Sequence, residues 1–264
     1  MKKFLSYTNI LILIITFLFF GDLILLLGSG EANDILIKIH TQNEQNEEIV
    51  IETTLGECEK VFEELGMPVT KESFIATQVL IAGGFQGPIM NKLGIIDNRI
   101  DPNGHNIIRR FTVLFTHAGV LHLLVNMIAL FIIGNFLEKK IKGHWVLILI
   151  FIISFLSTYL TDFIMSLIDK SFIIGQTTEL GASGGVFGLM GCALALCIIN
   201  KPFFKELSLF KKIILAFYGI FFTYLANGSL VSWTMIAHNS GFIIGFVIMY
   251  ILIKKMPKKI YKQC

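Results

Sequence analysis

A chain of 264 residues that is 54% hydrophobic, carries 24 phenylalanines and has a mean hydropathy of +0.73 is too apolar for an ordinary soluble domain. It reads as a polytopic membrane protein, because a membrane span needs about 20 consecutive apolar residues and several such runs are present. The formal charge of +3 reports how lysines are distributed around those runs and is no evidence for nucleic-acid binding.

The first span is expected at Tyr7–Leu27. Met1, Lys2 and Lys3 precede it in the manner of a signal peptide, but the run is longer than a normal apolar signal region and contains Asp22. An uncleaved span is therefore expected; cleavage would leave the remaining spans oriented the same way. An outer segment from about Gly28 to Phe111 follows and is mostly acidic. Within it "DILIKIHT" and "EEIVIETT" alternate like two strands joined by the polar "QNEQN", and "GECEKVFEEL" reads as a short helix. A hairpin-plus-helix insertion is one reading of this stretch and a flexible acidic loop is the other.

Further spans are expected at Val113–Leu137, Trp145–Ile168, Gly181–Ile199, Leu209–Ala226 and Trp233–Ile253. Lysines mark every second connection. Lys2 and Lys3 lie before span one, and Lys139, Lys140 and Lys142 lie after span two. Lys201, Lys205, Lys211 and Lys212 lie between spans four and five, and Lys254, Lys255, Lys258, Lys259 and Lys262 end the chain. The positive-inside rule makes these segments and both termini cytoplasmic, so the acidic segment is outside. The organisation expected is 1–30 for the N-terminus and first span, 31–111 for the outer loop, 112–256 for a core of spans two to six, and 257–264 for the tail.

Cys58, Cys192, Cys197 and Cys264 show no spacing of a disulfide framework or zinc site, and the pair in span four reads as small apolar residues. No metal or other cofactor is expected.

Polar residues inside spans are expensive and are functional candidates by default. His117, His122, Asn126, Ser183, His238 and Asn239 stand out, whereas Asp22 and Asp162 are read as interfacial. His122 and Asn126 are four apart and share a helical face. Counting back from the cytoplasmic anchors at about 1.5 Å per residue, Ser183 lies about 25 Å from Asn200. His238 lies about 24 Å from Lys254 and His122 about 24 Å from Glu138 by the same rise. In a core of roughly 30 Å, three spans thus bring polar groups to one level, about 5 Å below the outer boundary.

Five glycines crowd the run "ELGASGGVFGLMG" at the start of span four. Gly184-x-x-x-Gly188 and Gly241-x-x-x-Gly245 are faces that let helices approach closely. Alone they indicate packing or dimerisation; beside Ser183 and His238 they bring a short serine within reach of an imidazole. A serine is a poor nucleophile until a base takes its proton, and His238 is the candidate base. The Ser183 N–H at a helix start, His122 and the Asn126 amide are candidate donors to an oxyanion. No buried carboxylate offers itself as a third member, so a Ser–His dyad fits better than a triad.

On these residues the chain resembles the rhomboid intramembrane serine proteases. Gly181-Ala182-Ser183-Gly184 matches the family's GxSG, and His122 with Asn126 its His-xxx-Asn. Ala237, His238, Gly241 and Gly245 match its AHxxGxxxG. Arg109 matches a first-loop arginine and His117 a further common histidine. Ile108 stands where the family often has Trp, and Phe187 where it often has a Tyr that stacks on the histidine; with Phe187 the stacking is expected to survive.

The resemblance implies an all-α bundle of six transmembrane helices with an outer insertion between helices one and two. It also implies cleavage of transmembrane protein substrates near the outer face of the cell membrane, with substrates entering laterally beside span five. The lipid bilayer is the other partner; the sequence does not decide the oligomeric state. Two rivals stay open: a catalytically inactive rhomboid-like binding protein and, behind it, a transporter. A zinc protease would need HExxH, which is absent, and an aspartyl protease would need paired carboxylates in its own motif.

Overall fold

The computed structural model describes residues 6–28, 36–42, 48–54, 56–66, 69–70, 73–74, 107–168, 181–199 and 233–255. The fifth expected span, the loops around it, Lys2, Lys3 and the lysines after Lys255 lie outside the described residues.

The apolar runs form helices, as their length and hydropathy require. These are α1 (Tyr7–Gly28), α4 (Val120–Glu138), α5 (Gly143–Ile168), α6 (Ser183–Ile199) and α7 (Trp233–Lys255). Four of them, α1, α4, α5 and α7, are long and apolar enough to cross a membrane, and α6 is a shorter apolar helix. Their outward faces carry large bare side chains such as Phe17, Phe131, Phe163 and Ile243. A surface so apolar marks a membrane protein.

Between α1 and α4, Leu36–Gln42 (β1) and Glu48–Thr54 (β2) pair antiparallel, with Ile39 opposite Ile51 and Lys38 opposite Glu52. The short helix α2 (Cys58–Glu64) follows and buries Cys58 and Phe62. His40 sits in β1 opposite Val50.

The second span departs from expectation. Its helix begins at Val120, not Val113, because the chain before it is broken up. Ile107–Thr112 is a separate short helix (α3), Val113–Phe115 is a 3-10 turn, and Thr116 and Gly119 are extended. This segment lies on α5. Phe111 stacks on Phe155 with ring centroids 4.1 Å apart, and Phe115 lies 5.9 Å from Phe151.

The core centres on α6, which is buried on nearly all sides from Gly185 to Cys197. A helix apolar all round belongs inside a bundle. Its glycines decide how close the neighbours come. A Cβ on Gly241 would strike the carbonyl of Gly184, and one on Gly245 the carbonyl of Gly188. On another side, a Cβ on Gly184 would meet Ser157 Oγ, and one on Gly185 Ser154 Oγ and Ile150. The α6–α7 contact is therefore backbone against backbone, and the Cys192 thiol adds a 3.2 Å bond to the Gly245 carbonyl.

This predicts a contrast between two glycines. Gly245→Val forces a branched side chain into a helix backbone that cannot yield, an overpacking cost of about 1–3 kcal/mol or more. Its thermal unfolding midpoint in detergent is expected to fall clearly. Gly21→Ala, on α1 with nothing within 4 Å of the added carbon, leaves the midpoint unchanged or raised. Equal midpoints for the two variants would contradict the glycine contact.

A buried carboxylate joins α1 to α4. Glu138 Oε1 accepts from the Thr8 N–H at 2.5 Å and the Thr8 hydroxyl at 2.7 Å. An anion at the first turn of α1 also suits the helix dipole. Ser6 and Asn9 reach Asn135, both at 2.9 Å, so the start of α1 and the end of α4 lie at the same end of the bundle.

Candidate active site

Ser183 is the first residue of α6 and is half-buried. The chain enters it through Gly181, whose φ of 104° lies in the left-handed region that side chains resist. That turn explains why the helix starts at Ser183. It also aims the Gly181 N–H at the Val113 carbonyl, 3.1 Å away. A helix start leaves unpaired N–H groups and a partial positive charge at the serine.

His122, in the first turn of α4, lies against this turn. A Cβ on Gly181 would come within 2.7 Å of its Cε1 and 3.1 Å of its Nε2. Its other nitrogen, Nδ1, accepts a hydrogen bond from the Ala118 N–H at 3.2 Å. A neutral imidazole that accepts at Nδ1 carries its proton on Nε2. The donor edge of His122 thus faces the loop that delivers Ser183. Asn126, one turn further along α4, is buried and donates from Nδ2 to the His122 carbonyl at 2.9 Å. One of its two amide hydrogens is thereby engaged.

His238 comes from α7 and is buried. It stacks on Phe187 with ring centroids 4.1 Å apart and planes 11° from parallel, so the expected stacking is present without the hydroxyl. Phe187 lies one helical turn after Ser183, on the same face of α6. The Gly184–Gly241 contact sits beside both groups, three residues past His238 and one past Ser183. Phe187 thus ties His238 to the face of α6 that begins with Ser183, while His122 lies against Gly181 with Asn126 one turn along α4. His238 Nδ1 has no hydrogen-bond partner among the described residues.

The remaining candidates divide. His117 is buried with its ring centroid 5.3 Å from that of His122. Gly184, Gly241 and Gly245 form the helix contact. Arg109 lies on α3, and its side chain is outside the description. Its neighbour Arg110, which sequence reasoning missed, is buried. It pairs with Asp162 at 2.6 Å, and both side chains are almost completely enclosed. Asp162, expected at the interface, is thus a core residue, and Asp22 is buried too. The signal that was available was an aspartate inside an apolar span, which is costly unless it is paired.

The region holding α3 to α7 has a known pattern: the model of the Rhomboid domain matches residues 104–255. The chain belongs to the rhomboid family. It is 32% identical over 181 residues to RHOMBOID-like protein 6, mitochondrial, of Arabidopsis thaliana, covering 67% of this chain and 54% of that protein. It is 31% identical over 167 residues to RHOMBOID-like protein 5 of the same plant, covering 63% and 50%. It is 27% identical over 147 residues to Rhomboid protease GluP of Bacillus subtilis (strain 168), covering 53% and 27%. The chain spans about half the length of these two plant relatives. The matched stretch includes every candidate site residue named above, whereas α1 and the β1–β2 hairpin lie outside it.

Proposed function

We propose that this rhomboid is an intramembrane serine protease that cleaves transmembrane proteins near the outer face of the membrane by a Ser183–His238 dyad. The observation that carries the reading is the stack of His238 on Phe187 beside the Gly184–Gly241 contact, one turn from Ser183. In this reading Ser183 Oγ attacks the scissile carbonyl carbon while His238 takes its proton. His238 then returns that proton to the leaving amine, and water hydrolyses the acyl-enzyme. The negative oxygen of the tetrahedral intermediate is met by the Ser183 N–H, the Nε2–H of His122 and the remaining Asn126 N–H. A peptide bond inside a helix is shielded by its own hydrogen bonds, so the substrate must unwind locally to offer its carbonyl. The chemistry needs neither metal nor nucleotide.

Six spans with both termini cytoplasmic follow from the lysine pattern, with Leu209–Ala226 as the fifth. The rise per residue supports a site sunk below the outer surface: counted back from Asn200, Ser183 lies about 25 Å along a roughly 30 Å core. Two relatives are named as proteases, GluP and the Putative rhomboid protease YdcA of the same bacterium.

The deciding experiment incubates the purified chain in liposomes with a transmembrane substrate and, separately, with a fluorophosphonate. Fragments whose ends lie near the outer boundary, together with a covalent adduct on Ser183, are expected. Neither fragments nor adduct would turn the assignment to the inactive rhomboid-like binding protein. Cation-coupled flux surviving Ser183→Ala would turn it to a transporter.

The hairpin and α2 are read as an outer insertion peripheral to the chemistry. Deleting Asp34–Thr70 with a short linker is expected to leave cleavage of a generic substrate within about threefold of the full chain, since none of the proposed transition-state contacts is lost. Choice among substrates is free to change. A membrane-inserted, folded deletion that cleaves nothing would show that this segment helps build the site.

A further inference from the structure

The first loop carries a charge pair that the proposed reaction does not use. Arg110, on α3, is 1% exposed. Its Nη2 meets Asp162 Oδ2 of α5 at 2.6 Å, its Nη1 donates to Thr158 Oγ1 at 3.1 Å, and its guanidinium lies 4.2 Å from the centre of the Tyr159 ring. Thr158, Tyr159 and Asp162, spread over about one turn of α5, thus grip one side chain. Asp162 Oδ1 has no hydrogen-bond partner among the described residues.

Three residues after Arg110 the same segment reaches the candidate site. The Val113 carbonyl accepts from the Gly181 N–H at 3.1 Å, and also from the Thr116 N–H at 3.1 Å and hydroxyl at 2.9 Å. Five residues further, the Ala118 N–H bonds His122 Nδ1 at 3.2 Å. One short stretch therefore sets the turn before Ser183 and the tautomer and tilt of His122. These two contacts govern where oxyanion donors stand.

We infer that Arg110 and Asp162 are positioning residues: their ion pair locks residues 107–118 onto α5 so that the Val113 carbonyl and the Ala118 N–H hold Gly181 and His122 in register. The inference rests on the serine-protease reading above. A buried ion pair is weak evidence for stability, because well-packed apolar residues of similar size often serve as well or better. What apolar residues do not reproduce is a single directional geometry. A loss of register of about 1 Å at reacting groups is able to cost on the order of a hundredfold in rate.

That difference supplies the test. The double variant Arg110→Met/Asp162→Leu replaces the pair by apolar contacts of similar volume. In liposomes with a transmembrane substrate, kcat is expected to fall about tenfold or more, with KM within about twofold and the thermal midpoint maintained. The rate of fluorophosphonate labelling at Ser183 is expected to fall in parallel with kcat. A purely structural pair would give wild-type kcat whenever the midpoint is maintained, and that result overturns the inference.

Should the double variant not fold, Asp162→Asn is read instead. It keeps the shape of the site and an oxygen for Arg110 but removes the ion pair. A lowered kcat at an unchanged midpoint supports the inference, and a wild-type kcat overturns it. A wild-type chain that neither cleaves nor labels overturns the serine-protease reading, and this inference falls with it.

Discussion

Ser183→Ala and His238→Ala are each expected to reduce cleavage by on the order of 10⁴-fold or more, and the double variant to be no worse than either alone. The two groups act in one proton transfer, so removing either removes the unit. The structure makes the two variants differ in another respect. Ser183 is half-buried at a helix start, and alanine there leaves the fold intact. His238 is packed flat on Phe187, so His238→Ala also gives up an aromatic stack worth about 0.5–1.5 kcal/mol and opens a hole. A drop in activity for that variant alone would be ambiguous. His238→Phe separates the effects, because it retains a ring on Phe187 and removes the base. It is expected to be as inactive as Ser183→Ala with a midpoint close to wild type. Turnover in either Ser183→Ala or His238→Phe at the wild-type rate, measured in liposomes, would dismiss the dyad.

Asn126→Ala is expected to lower kcat by about 10²–10³-fold while KM changes little, the loss typical of one oxyanion donor. The structure places that estimate toward its lower end. One amide hydrogen of Asn126 is engaged by the His122 carbonyl, and the Ser183 N–H and His122 Nε2–H remain as donors. Removing the bond to the His122 carbonyl also frees a turn of α4, so the midpoint must be measured beside the rate. An unchanged kcat would leave Asn126 with the intrahelical bond alone and no part in catalysis. A fall in kcat and midpoint together, both restored by Asn126→Gln, would point to the helix bond rather than to the oxyanion.

Sequence reasoning worked best where the property is local. Apolar runs located α1, α5, α6 and α7 to within a few residues, since hydropathy and helix length are read from consecutive positions. Helical periodicity put His122 beside Asn126, and the family resemblance singled out Phe187 as the ring that stacks on the histidine. The alternation in Leu36–Gln42 and Glu48–Thr54 likewise marked segments that pair.

It failed at the start of span two, where the expected span ran on through Val113–Gly119 while the helical backbone did not. Apolar content alone does not distinguish a 3-10 turn lying on a neighbouring helix from the first turns of a span. What holds that segment is Phe111 on Phe155 and Arg110 on Asp162, contacts that no local pattern announces.

From its residues alone this chain determined its membrane character, most of its helices and the chemical groups that its rhomboid membership makes meaningful. Tertiary structure alone decided which charges are buried and what they hold. Asp162 was expected at an interface and pairs with Arg110, 52 residues away; Glu138 served as a cytoplasmic depth marker and is buried on Thr8, 130 residues away. The reason is physical. A charge can leave water only if a partner meets it, and that partner is chosen by the way the helices pack, which neither charge encodes in its own neighbourhood.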